Sequence, residues 1–234
     1  MLQAGGELYF RVFTASGHAP DRDLSPATIV LIHGAGSGPW VFNDWRSHFR
    51  HQTVEAVDLQ ANLNVNDASM ADYAGSVVTA AQRLPQPVSL CGWSMGGLVA
   101  LQASRVLRLQ SLILIEPSPP AQIQGFHPNI DLAAGSFDPE QEYGSFPDGY
   151  RARPESSRAR TDRKRGISVP RVSCPVLVIY GRAFPVDRGQ SVARLYDGVE
   201  RYFPDLDHWG LVRDPRVPEL VAHYLNVPTT ISDV

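Results

Sequence analysis

Ser94 stands in the stretch Cys91-Gly92-Trp93-Ser94-Met95-Gly96-Gly97, with a glycine two residues before it and another two residues after. A serine hydroxyl becomes a strong nucleophile when a base lies beside it and donors await the charge it creates. A sharp strand-to-helix turn presents such a hydroxyl, and it brings the residues at minus two and plus two almost into contact. Glycine removes the Cβ atoms that would collide there. Gly97 lets the following helix pack close to the strands, and a helix beginning at Met95 aims its positive end at a developing oxyanion.

A second loop has the complementary chemistry. His33-Gly34-Ala35-Gly36 follows the apolar run Ala27–Ile32. An oxyanion hole needs two amides aimed at one point. Met95, the residue after the serine, supplies one, and Ala35, in a loop of small residues, supplies the other. His33 reads as a structural histidine that anchors this loop. The base is read at His208, in Pro204-Asp205-Leu206-Asp207-His208-Trp209. That loop follows the strand-like run Glu200–Phe203 and precedes the last helix, which places His208 at the same edge as Ser94. His18, His48, His51, His127 and His223 fall in loops, at helix edges, in an insert and on the terminal helix.

The elements that must position these groups are legible as alternating patterns. Ala27–Ile32, Gln52–Val57, Val88–Cys91, Ser111–Ile115 and Val176–Tyr180 read as strands buried on both faces, and Glu7–Phe13 alternates as a half-buried one. Helices are expected at Ser69–Leu84 with Ser69 as N-cap, at Met95–Leu107, at Gly189–Tyr196 and at Pro215–Leu225. Strands alternating with helices predict an α/β fold, a mostly parallel sheet with helices on both faces. Residues 117–175 interrupt the rhythm and show no clear strand. A structureless loop of that length is unusual in a compact domain, so they read as an inserted lid of short helices whose last part returns to the sheet. The core is then 1–116 together with 176–234, within one domain. The basic run Arg151–Arg165 reads as a solvated lid helix, with a cradle for an anionic substrate as the alternative.

Composition closes off other classes. The net charge of −3 gives no strong field toward nucleic acid or a membrane surface, and no apolar run is long enough to span a bilayer. The first residues show neither a basic region nor a long apolar one, so a signal peptide is not expected and a cytoplasmic location is. Cys91 and Cys174 read as two buried thiols rather than a disulfide, and no zinc spacing is present, so neither metal nor cofactor is expected.

The order of His33-Gly34-Ala35-Gly36, then Gly92-Trp93-Ser94-Met95-Gly96-Gly97, then the late Asp207-His208-Trp209 loop resembles the α/β-hydrolase superfamily over nearly the whole chain. The resemblance implies the α/β-hydrolase fold with a small lid over the carboxyl edge of its sheet. It implies Ser94 as nucleophile, His208 as general base, and Met95 with Ala35 as oxyanion hole. In that superfamily the acid usually lies three residues after the glycine ending the strand that corresponds to Val176–Gly181. Here that position is Phe184, which cannot orient an imidazolium. Asp187 lies three residues further on. Glu116, closing the preceding strand, is the other choice. Some superfamily members place their acid there, and glutamate's extra methylene helps the reach. Glu116 is preferred and Asp187 is kept.

The same apparatus serves several reactions. A small-molecule carboxylic ester is the expected substrate, contacted by Gly34, Trp93, Phe184 and Trp209. Thioesterase and lactonase chemistry are the near alternatives. A cofactor-free, haloperoxidase-like oxidoreductase and a non-catalytic ligand receptor are alternatives of another class.

Overall fold

The computed structural model describes residues 28–50 and 52–226, so the expected strand at Glu7–Phe13 lies outside the described residues. The first half runs β1 (Thr28–Ile32), a 3-10 segment Pro39–His48, β2 (Thr53–Val57), α1 (Met70–Gln82), β3 (Val88–Trp93), α2 (Met95–Ala103) and β4 (Leu109–Ile115). Next come α3 (Ala121–Gln124), β5 (Ser136–Phe137), α4 (Pro139–Tyr143), β6 (Glu155–Ser156) and α5 (Ser157–Arg165). The chain closes with β7 (Val176–Gly181), a π-helical turn Val186–Gln190, α6 (Ser191–Leu195), β8 (Val199–Phe203), α7 (Gly210–Arg213) and α8 (Arg216–Asn226).

Among the described residues six strands form one sheet in the order β2-β1-β3-β4-β7-β8, and every neighbouring pair is parallel. The continuous apolar runs of β1, β3, β4 and β7 follow from helices on both faces, whereas β2, expected to be buried likewise, is an edge strand with Thr53 and Glu55 exposed. Because side chains alternate along a strand, Val30, Ile32, Leu90, Leu112, Leu114 and Val178 point into a core shared with α1, α2 and α6. Ile29, Leu31, Cys91, Ile113, Ile115 and Ile179 point into a second core closed by the 3-10 segment, α7 and α8. Each such aliphatic side chain contributes about 1.5–3 kcal/mol on burial.

The helices form where expected, with shifted ends. Ser69 caps α1 reciprocally: its side chain accepts from the Asp72 amide, and the Asp72 carboxylate accepts from the Ser69 amide. α2 ends at Ala103, short of the expected Leu107, where the Ser104 hydroxyl turns back onto the Leu101 carbonyl at 2.8 Å. The helix expected at Gly189–Tyr196 begins earlier, as the π-helical turn, because Gly189 lies flat on the Tyr180 ring; a Cβ there would sit 2.4 Å from Tyr180 Cγ.

Residues 117–175 do contain a strand pair. β5 and β6 are antiparallel, pairing Ser136 with Ser156 and Phe137 with Glu155, and are too short to leave a periodic signal. Much of the arginine run is engaged internally. Arg153 pairs with Asp58 at 3.0 Å, Arg165 with Asp131 at 3.5 Å, and Arg160 with Glu142. Arg158 donates to the Asp67 carbonyl at 3.2 Å. These bonds stitch the segment to itself and to the core, so the run as a whole is not an open anion cradle.

β1 connects to β2 on one side of it, and β3 lies on the other. The chain's winding reverses there, leaving a crevice above the carboxyl ends of β1 and β3. Open parallel sheets bind ligands in such crevices. The His33–Gly36 loop leaves β1 at this point, and Ser94 leaves β3.

Candidate active site

Ser94 has φ 56° and ψ −121°, a conformation that costs a non-glycine residue about 1–3 kcal/mol. The surroundings impose it. Its amide donates to the Ile115 carbonyl at 2.9 Å, and its carbonyl accepts from the Ser118 and Gly97 amides at 2.8 and 3.1 Å. The flanking glycines are required sterically: a Cβ on Gly92 would lie 2.3 Å from the Gly96 oxygen, and one on Gly96 would lie 2.2 Å from the Ile32 oxygen.

The loop after β1 closes on this turn. A Cβ on Gly34 would lie 3.1 Å from Ser94 Cβ and 2.9 Å from the Trp93 ring. Neither the Ala35 nor the Met95 amide is used in a loop, cap or turn hydrogen bond among the described residues. His33 holds the loop from below. Its Nδ1 is 2.9 Å from the Gly34 carbonyl and donates to it, while Nε2 accepts from the Leu59 amide at 3.1 Å. Both nitrogens are thereby occupied and the ring is buried, so His33 anchors the loop.

Glu116 directly follows Ile115 at the end of β4, again with a positive φ, 41°. It is fully buried, and its two oxygens are both used: Oε1 accepts from the Gly181 amide at 3.0 Å, and Oε2 lies 2.5 Å from His208 Nδ1. A Cβ on Gly181 would lie 2.3 Å from the Leu206 oxygen, so only glycine lets β7 and the His208 loop approach this closely. The imidazole is held on two sides. Trp93 packs against it with ring centroids 4.9 Å apart, and Phe184 meets it edge-on at 5.7 Å. The Trp93 indole also donates to the His208 carbonyl at 3.2 Å. With Nδ1 donating to the carboxylate, Nε2 is left as the acceptor that a base requires. No hydrogen bond joins Ser94 Oγ to His208 among the described residues; such bonds often tighten only when substrate is bound.

The other expected residues are placed differently. Asp187 is exposed in the π-helical turn and makes no hydrogen bond or ion pair with His208 among the described residues. Phe184 keeps 41% of its surface exposed beside the imidazole. Trp93 is only 2% exposed and supports the His208 loop rather than forming an open wall. Trp209 is half-buried in an aromatic cluster with Trp93 at 4.8 Å, Phe146 at 4.8 Å and Tyr150 at 5.4 Å.

One residue escaped the sequence reading. Glu155, in the middle of the arginine run, is fully buried. Its Oε2 accepts from the Gly36 amide at 3.0 Å, and its Oε1 accepts from the Tyr73 hydroxyl at 2.7 Å and the Ser156 amide at 3.0 Å. The Arg153 amide donates to the Gly36 carbonyl at 2.7 Å. The 117–175 segment therefore grips the His33–Gly36 loop through both the amide and the carbonyl of Gly36. Burial, reinforced by the neighbouring Glu155 charge, pushes the Tyr73 phenol well above its usual range and keeps it a donor.

Both cysteines are free. Among the described residues no group of His, Cys, Asp and Glu could hold a metal ion, and no helix is long and apolar enough to cross a membrane. Two open clefts, of about 590 and 610 Å³, share Tyr150, Arg151 and Arg153; neither is lined by Ser94, Glu116 or His208.

A parallel sheet with a glycine-flanked serine turn at its switch point and a histidine–carboxylate pair at the same edge defines a class of α/β hydrolytic fold. Residues 29–224 match the Alpha/beta hydrolase family, and the chain belongs to that family. It is similar to the pimeloyl-[acyl-carrier protein] methyl ester esterase of Yersinia pseudotuberculosis, 36% identical over 97 residues, which cover 39% of this chain and 36% of the relative. The corresponding protein of Nitrosomonas europaea is 32% identical over 110 residues, covering 44% of this chain and 40% of the relative. The chain thus spans well under half the length of these curated relatives. Among solved structures, polyneuridine aldehyde esterase superposes with a TM-score of 0.64 at 16% identity, covering 86% of this chain and 100% of that one. The RedJ thioesterase of Streptomyces coelicolor superposes with a TM-score of 0.61 at 20% identity, covering 92% and 96%. At these identities the two structures share the fold.

Proposed function

We propose that the chain is a serine hydrolase that cleaves small carboxylic esters through an acyl-enzyme. Ser94 is the nucleophile, His208 the general base, and Glu116 the acid that fixes the imidazole tautomer. The Met95 and Ala35 amides form the oxyanion hole, and residues 117–175 act as the lid. The observation that carries this reading is the hydrogen bond from His208 Nδ1 to buried Glu116, at the strand end adjoining Ser94. His208 Nε2 takes the proton from Ser94 Oγ as the oxygen attacks the carbonyl carbon. The two amides hold the oxyanion, the alcohol leaves with the proton from His208, and water activated by the same nitrogen releases the acid. Glu116 keeps its hydrogen bond to Nδ1 throughout and stabilises the imidazolium.

Esters are placed before thioesters because the relatives found by sequence bear the name methyl ester esterase. A panel of p-nitrophenyl esters of increasing acyl length tests catalysis and measures the pocket together. Saturable hydrolysis that falls off with chain length is expected. A rate on every ester no greater than that of Ser94→Ala would overturn the reading.

A further inference from the structure

Arg188 lies in the π-helical turn that follows β7, on the same loop as Phe184. Its guanidinium carbon stacks over the Phe184 ring at 4.1 Å from the centroid, and that ring stands perpendicular to the His208 imidazole with centroids 5.7 Å apart. One aromatic ring therefore separates a fixed cation from the candidate base. The guanidinium is half-buried, and among the described residues its side chain has no hydrogen bond or ion pair. The nearby carboxylate of Glu116 cannot serve it, because both Glu116 oxygens are occupied by Gly181 and His208. Three arginines of the 117–175 segment differ in this respect: Arg153, Arg160 and Arg165 each hold a carboxylate of their own.

Arg163, on α5, donates through Nη2 to the Tyr143 hydroxyl at 3.2 Å, and its buried Nε has no partner. Burial holds the Arg188 guanidinium below the usual arginine range; Arg163 acts in the same sense, and Glu116, Tyr143 and Asp187 act in the opposite one. Sheltering a guanidinium from water without an ion-pair partner is unfavourable unless an anion joins it. A planar guanidinium fork matches a carboxylate through two parallel hydrogen bonds.

We infer that Arg188 forms an anion subsite beside His208, so that the preferred substrates are esters carrying a carboxylate away from the scissile bond. This inference rests on the serine esterase reading. The carboxylate can sit on the acyl side, as in a half-ester of a dicarboxylic acid, or on the alcohol side, as in an acetylated hydroxy acid. Both present the same group to the guanidinium. Phe184 then serves as the platform that keeps Arg188 flat and lines the path from the imidazole to the subsite.

The test compares kcat/KM for matched pairs by proton release at low ionic strength: monomethyl adipate with methyl hexanoate, and 3-acetoxypropionate with propyl acetate. The wild-type chain should favour the anionic member of at least one pair about 10- to 100-fold, the range of a charge-assisted hydrogen bond. Salt should shrink that preference. In Arg188→Gln the anionic-to-neutral ratio should collapse toward one, while Arg188→Lys should retain part of it. The ratio is diagnostic, because a general loss of folding or catalysis lowers both members alike. Should Arg188→Gln fail to fold, inhibition of wild-type methyl hexanoate hydrolysis by adipate but not by hexanamide gives the same answer. Equal turnover of both members of both pairs by the wild type overturns the anion subsite and leaves the esterase reading intact. No turnover of any of the four esters, with the p-nitrophenyl panel still hydrolysed, overturns the anion subsite alone; no turnover of either set overturns both.

Discussion

Replacing Glu116 by glutamine removes one charge and leaves the shape of the side chain almost unchanged, so its effect can be worked from the two bonds the carboxylate makes. Both partners are donors: the Gly181 amide at 3.0 Å and His208 Nδ1 at 2.5 Å. Glutamine has only one acceptor oxygen. If the oxygen faces His208, the new NH2 points at the Gly181 N–H, leaving a buried clash that costs about 1–3 kcal/mol. The imidazole can avoid this by shifting its proton. With the oxygen on Gly181 and the NH2 on Nδ1, His208 carries its proton on Nε2 and can no longer accept from Ser94. The cheaper arrangement is thus the inactive tautomer. Loss of kcat on the order of 10⁴ is expected, equivalent to about 5.4 kcal/mol of transition-state stabilisation, with thermal stability lowered by no more than a few degrees. Kinetics on p-nitrophenyl acetate, alongside a melting curve to confirm folding, measure both. The parallel variant Asp187→Asn, at an exposed position without a bond to His208, should stay within about twofold of wild type. A Glu116→Gln enzyme within tenfold of wild type, or an Asp187→Asn enzyme as slow as expected for Glu116→Gln, would refute the assignment of the acid.

Other outcomes follow from the same coordinates. Glu155→Gln should lower kcat about tenfold at nearly constant KM, because it loosens the Gly36 peptide and with it the oxyanion loop; an unchanged kcat would show that the grip on Gly36 is merely structural. Gly96→Ala should destabilise the fold by about 3 kcal/mol or more in urea denaturation, since its Cβ would fall 2.2 Å from the Ile32 oxygen, which is backbone and cannot step aside. Burial pushes the Cys174 thiol up to about 11 and Cys91 higher still. A raised thiol pKa leaves little thiolate at pH 8, so both cysteines should react slowly with a disulfide reagent until the chain is unfolded, and the Cys174 rate should climb about tenfold per pH unit above pH 8 and level off near 11.

The residues that local chemistry dictates were readable in the chain. Gly92, Ser94 and Gly96 carry a steric requirement within five residues, and the doubly buried strands declare themselves as unbroken apolar runs. What needed coordinates was set by register across the sheet. Whether Glu116 or Asp187 meets His208 depends on how β4 sits beside β7, and Gly181 determines how near the His208 loop can come. Glu155 was invisible for a related reason. It is surrounded in sequence by arginines and serines that read as solvent-exposed, and its burial arises only when β6 pairs with β5 and packs beneath the Gly36 loop. The π-helical turn that carries Arg188 starts ahead of the expected helix because Gly189 rests on Tyr180, a contact between residues nine positions apart that periodicity does not encode.

The claim on which all of this stands is that Ser94 becomes covalently acylated. A p-nitrophenyl alkylphosphonate reports it directly, because the serine oxygen attacks phosphorus, releases one nitrophenolate and stays modified. The expected result is one equivalent of nitrophenolate per chain and a matching mass increase on the peptide containing Ser94, both missing in Ser94→Ala. Ester turnover at the wild-type rate by a chain whose Ser94 stays unmodified would contradict the account.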